Sequence, residues 1–165
     1  PEGDNNQGDK TKPSNNYMTL LRALAKALPI CLEVHEGELT QQTLAGLLQR
    51  LAAWPALPPL LMRTALLALR RHPRLRPWFL QAFLPALLRR RVHEVPALWA
   101  GFVRCCTRLG PDACPVLLQA DRAALARLVA ASPDVRHLLA EYAKRRSLPV
   151  DIQRLITDSE VPSHG

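Results

Sequence analysis

The sequence predicts an all-α fold, a HEAT-like or irregular α-solenoid of eight to nine short antiparallel helices, and three observations carry that prediction. The apolar residues, 48% of the chain, are mostly Leu and Ala, while aromatic residues make up only 5%; this balance favours helix over strand. Apolar residues recur three and four positions apart along most of the chain. Prolines and capping residues punctuate these segments into helices of roughly 8–18 residues with short connections, which makes neighbours antiparallel. Helices that are apolar nearly all round are expected where each is covered by those before and after it, as in stacked repeats. No strict sequence period is visible, so a compact helical bundle is the other arrangement these residues allow.

Residues 1–16, polar and rich in Gly, Asn, Asp and Lys, predict a disordered linker with no signal-peptide core. From Tyr17 the chain turns helical, with Leu20, Leu21, Leu24, Ala27 and Leu28 on one face, and Pro29 is expected to kink or end this helix before Ile30–Val34. His35-Glu36-Gly37 reads as a loop. Thr40 is a good N-cap for a helix with the stripe Leu44, Leu47, Leu48 and Leu51, stopping before Trp54-Pro55 and pairing with the first helix. A third helix is expected with Pro58 or Pro59 in its first turn, running to about Arg71. Its few polar positions, Arg63 with Arg70 and Thr64 with Arg71, lie on two adjacent lines and predict one narrow exposed strip. Leu75–Arg90 is expected to form a fourth helix, almost wholly apolar between Trp78 and Leu88 and bent at Pro85.

Pro96 opens a fifth helix with Leu98, Phe102, Cys105 and Leu109 on one face, and Gly110-Pro111 is a strong stop. A short helix through Val116 and Leu118 follows, then one capped by Asp121 that carries Leu125, Leu128 and Val129. Ser132-Pro133 starts another with Val135, Leu138, Leu139 and Tyr142. A last helix from Pro149 to about Asp158 presents Ile152, Leu155 and Ile156. The helical domain is thus expected over 17–158, with a disordered tail at 159–165. No apolar run approaches the roughly 18 residues of a membrane span.

Four cysteines without a Cys-x-x-Cys pair seed neither a zinc site nor a disulfide framework, so they are expected to be reduced and buried, as in a cytosolic or nuclear protein. No metal or cofactor is expected. The glycines form no phosphate-binding fingerprint, and no His-Glu-x-x-His or paired-carboxylate arrangement occurs. His72, His93 and His137 have no convergent partner in the pattern, and Cys105 and Cys106 flank an apolar stripe where a thiol is inert. The chain reads as a binding platform rather than an enzyme.

The basic excess is central: Arg63, Arg70, Arg71, Arg74, Arg76, Arg89, Arg90, Arg91, Arg104 and Arg108 face a single acid, Glu94, in that stretch. Such a cluster suits acidic protein segments or RNA phosphates, and arginine forks favour both. Arginines at helix ends also serve the fold itself by donating to free carbonyls, as Arg89-Arg90-Arg91 are placed to do. Candidate partner-binding residues are Trp54, Arg63, Arg70, Arg71, Arg74, Arg76, Arg89 and Arg90. Trp54 is the candidate exposed anchor, whereas Trp78 and Trp99 are expected in the core. No RNA-recognition signature is present, so protein partners are favoured, with an RNA-binding helical module using the arginine surface as the alternative.

Four ordered motifs carry a family resemblance: Leu57-Pro58-x-Leu60-Leu61-Met62-Arg63-Thr64, Pro73-Arg74-Leu75, Trp99-x-Gly101-Phe102-x-x-Cys105-Cys106 and Val116-Leu117-Leu118-Gln119. Together they resemble the C-terminal domain of symplekin, with weaker similarity from Tyr17 to Ile156. The resemblance implies a nuclear, noncatalytic scaffold of the machinery that cleaves and polyadenylates pre-mRNA. Its implied partners are the C-terminal domains of the endonuclease subunit and of its inactive paralogue; the basic charge separately leaves nonspecific RNA contact open. The family's N-terminal HEAT domain, which recruits a polymerase-tail phosphatase, has no counterpart in these residues. Pro85 within a helix and the wealth of arginine depart from the family pattern.

Overall fold

Caps and prolines set where each element begins in the structure, a computed structural model that describes residues 15–34, 37 and 39–158. All regular elements among the described residues are helical. Residues 1–14 and 159–165, where disorder was expected, and His35-Glu36 of the expected loop lie outside them. The chain divides into two units between Glu36 and Gly37. The first holds α1 (Asn15–Val34), which starts two residues before Tyr17 and passes through Pro29 without ending. The pairing expected for this helix with the next would cross the division.

The second unit begins with α2 (Gln41–Ala53). Thr40 caps it as expected, its hydroxyl accepting the Thr43 N–H at 3.2 Å, and Leu44 and Leu48 are fully buried. The third helix, α3 (Leu61–Arg71), starts later than Pro58 or Pro59. The helical region is disfavoured for a residue before proline, and the chain here enters the helix only after Pro59. Leu61 N–H instead closes a turn onto the Pro58 carbonyl at 3.0 Å. Thr64, expected on the exposed strip, is buried and donates its hydroxyl to the Leu60 carbonyl at 3.0 Å. The strip therefore narrows to Arg63 and Arg70, with Arg71 half-buried beside them.

The bend expected at Pro85 takes another form. A 3-10 turn (Pro73–Leu75) leads into α4 (Arg76–Trp78), a π-helical turn (Phe79–Phe83) and α5 (Leu84–Arg89), which follow one another without a break. Leu84 N–H reaches back five residues to the Phe79 carbonyl. Pro85 lacks an N–H, and its ring would crowd the carbonyl four residues earlier in a regular helix; the wide turn just before it accommodates both defects. Phe79 and Leu84 are both fully buried. They would stand about 140° apart on an α-helix, and the π turn brings them to one side. Arg91, in the left-handed region at φ 54°, ends the helix, with its N–H on the Leu88 carbonyl at 2.8 Å.

Helix α6 (Pro96–Leu109) buries Leu98, Phe102, Cys105, Cys106 and Leu109 and stops at Gly110, whose φ of 70° suits a residue without a β-carbon. A 3-10 turn (Gly110–Ala113) and the short α7 (Cys114–Leu117) follow. Asp121 caps α8 (Arg122–Ala131), its carboxylate accepting the N–H groups of Ala123 and Ala124 at 3.0 and 3.1 Å. Ser132 caps α9 (Pro133–Ala143), accepting the Val135 N–H at 3.4 Å, and α10 (Val150–Asp158) buries Ile152 and Ile156.

Packing in the second unit runs in a row: α2 on α3, α3 on α6, α6 on α9, and α8 and α10 against α9 and each other. This is the irregular solenoid-like layering that all-round apolar helices require. The α3–α6 crossing is close enough that a β-carbon on Gly101 would overlap Met62 Cβ. Two of the sequence motifs therefore meet at one contact.

Candidate functional site

The candidate residues fall into several places rather than one strip. Arg70 and Arg76 line a cavity of about 300 Å³ together with Arg108, and Arg71 and Arg74 line another of about 280 Å³ with Gln41 and His72. Arg63 is exposed on α3, seven residues before Arg70 and on the same side. Arg89 and Arg90 border a groove of about 540 Å³ between the end of α2 and the π turn, with Trp78 and Phe83 in its wall. Trp54, at the C-cap of α2, is 55% exposed.

Arg76 and Arg90 are engaged by the fold. Arg76 donates to the Leu109 carbonyl at the end of α6 and pairs with Asp112 at 2.9 Å. Arg90 donates to the Ala52 carbonyl at 3.0 Å and the Pro55 carbonyl at 2.8 Å, satisfying groups left over where α2 ends. Helix-end arginines do donate to free carbonyls here, but across to other helices.

A groove of about 720 Å³ lies between α6 and α8 and holds none of the candidate residues. Pro96, Trp99, Ala100, Val103 and Thr107 form a stripe on α6 at three- and four-residue spacing, on the opposite side from the buried Leu98, Phe102, Cys105 and Leu109. Ala124, Leu128 and Ala131 face the groove from α8 at the same spacing. Its charged lining is Arg104 and Arg108 on α6, Arg127 on α8 and one acid, Asp134. Trp99, expected in the core, is half-buried: it stacks on Phe102 at 5.1 Å with planes 16° apart and also lines this groove. Trp78 is likewise half-buried, stacked on Phe83 at 5.3 Å. The signal that could have found the groove is the second apolar stripe of α6, since a helix with two such faces needs two covers.

Burial disfavours the thiolate at Cys105, Cys106 and Cys114. Burial pushes Cys105 up to about 12 and Cys114 up to about 11, and it raises Cys106 well above the ordinary thiol value, helped by its neighbouring cysteines. A thiol without access to its thiolate is a poor nucleophile. Cys31 is the exception to the expected burial, because it is exposed on α1. His93 sits edge-on to Trp99 at 6.2 Å, and its Nδ1 has no hydrogen-bond partner among the described residues. Among the described residues no group of three His, Cys, Asp or Glu is placed to hold a metal, and no helix is long and apolar enough to cross a membrane.

A layered row of helices with arginine-edged grooves and three buried cysteines defines an all-α helical domain. The sequence profile described as "Symplekin tight junction protein C terminal" matches residues 9–132, most of the chain, and the chain belongs to that family. The match covers all four motifs and ends at Ser132, before α9 and α10. No solved structure matches the chain.

Proposed function

We propose that this domain is a noncatalytic scaffold of the nuclear machinery that cleaves and polyadenylates pre-mRNA, and that it docks the C-terminal domains of the endonuclease subunit and of its inactive paralogue. Family membership over residues 9–132 is the observation that carries this reading. The placement of the motif residues agrees with it: Leu61, Met62, Leu75, Phe102, Cys105 and Cys106 are all buried, so the motifs specify a framework rather than a reacting centre. Trp54 and the exposed Arg63, Arg70, Arg74 and Arg89 then serve as contact residues at the edges of that framework.

Size-exclusion chromatography of the domain with the purified C-terminal regions of both endonuclease-type subunits tests the reading. Co-elution with them is expected. A domain shown by circular dichroism to be folded, yet eluting alone from both, overturns it. Nonspecific RNA contact is a second reading, favoured by the exposed arginines of α3, and predicts binding at low salt that weakens when Arg63, Arg70 and Arg71 become Ala.

A further inference from the structure

We propose that the groove between α6 and α8 receives an acidic amphipathic helix from a protein partner, its apolar face on Trp99, Val103 and Leu128 and its carboxylates on Arg104, Arg108 and Arg127. This deepens the scaffold reading and rests on it for the existence of a partner. The shape argument comes first. The two walls are helical stripes, and a groove bounded by such stripes takes the ridge of a third helix, with anchors one turn apart. Its volume of about 720 Å³ has room for a few large side chains.

Charge fixes the occupant's sign. Among the described residues Arg104, Arg108 and Arg127 take part in no ion pair and donate no side-chain hydrogen bond, unlike Arg76 and Arg90. They stand on both sides of the groove, so an acidic helix lying in it is flanked by forks that match carboxylates in pairs. Asp134, the one acid in the lining, lies in the first turn of α9, where it complements that helix's own dipole. Arg108 also lines the Arg70–Arg76 cavity, so the positive surface continues from the groove onto α3.

The floor argues for protein over RNA. It is made of Ala100, Val103, Ala124 and Leu128 with one indole, and Phe102 already covers a face of that indole. Bases are held by free aromatic faces and phosphates by charge, and neither would cover an aliphatic floor.

The test uses the full chain and a fluorescein-labelled synthetic helix with Glu on one face and Leu on the other, beside a Lys-for-Glu copy and a single-stranded RNA of similar length. The acidic helix is expected to bind, more weakly as salt rises, and the Lys copy to stay free. Affinity is expected to fall at least tenfold both in the Arg104→Gln, Arg108→Gln, Arg127→Gln triple variant and in Trp99→Ala, with each variant checked for folding by its thermal transition. Unchanged affinity in the folded triple variant overturns the proposal, as does RNA binding that depends on these arginines while the acidic helix stays free. The two readings fail separately. A peptide indifferent to the three substitutions overturns the groove whatever the parent domain does with the endonuclease regions, and a groove-dependent peptide with no co-elution of those regions overturns the scaffold reading alone.

Discussion

At Gly101 the backbone of α6 comes so close to α3 that any β-carbon would overlap Met62 Cβ. Gly101→Ala is expected to lower stability by about 1–3 kcal/mol, read as a shift of the urea midpoint. Met62→Ala is expected not to rescue it, because the overlap is with the β-carbon that alanine keeps. The buried thiols give a pH signature. Unfolding returns Cys105 and Cys114 to the ordinary thiol value near 9, while the fold holds their protons to about 12 and about 11. Their contribution is whole below about pH 9 and is lost as pH rises from there through the folded values, so the urea midpoint is expected to fall between about pH 9 and about pH 11. Periodicity could place Gly101, Cys105 and Cys106 within one helix, but not the distance from Gly101 to another helix. Likewise, that Arg90 would donate to carbonyls was legible from its helix end; that those carbonyls belong to Ala52 and Pro55 is a product of tertiary packing.

Helix boundaries written in local chemistry were the most legible elements. Thr40, Asp121 and Ser132 cap as their residue types require, because the bond from cap to second or third N–H closes within one turn. Pro59 and Pro85 were harder to read. Each acts on the residues before it: one delays α3, and the other sits behind a turn of wider pitch, where a fixed 3.6-residue period loses count. Arg91 marks the end of α5 with a conformation that costs an L-residue roughly 1–2 kcal/mol. Its ion pair with Glu94, at 2.7 Å between exposed groups, returns little of that. Arg91→Gly is therefore expected to gain up to about 1 kcal/mol, seen as a raised melting temperature, and Arg91→Ala to gain none.

For the whole molecule, the all-α class followed from composition and spacing, whereas the order of the row did not, since no residue in α6 announces that α9 will cover it. The basic cluster shows the same limit. Sequence drew attention to the line through Arg63 and Arg70, while the fold spreads guanidiniums over several cavities and sets Arg104, Arg108 and Arg127 around a groove no linear pattern displays. The family match ends at Ser132, but the packing does not. Val135, Leu138, Leu139, Leu148, Ile152 and Ile156 are buried beyond it. At about 1.5–3 kcal/mol each, their loss rivals the net stability of about 5–15 kcal/mol expected of a domain. A chain truncated after Ser132 is expected to lose its cooperative thermal transition, followed by circular dichroism. The crossing of α3 and α6 bears on how such a fold is written at all. Where two helices touch backbone to side chain, the alphabet of residues is cut to its smallest letter, and that restriction does not depend on surface charge or on which aliphatic groups fill the space nearby. Glycine in the Trp-x-Gly-Phe stretch is the trace that this geometry leaves in the text of the chain.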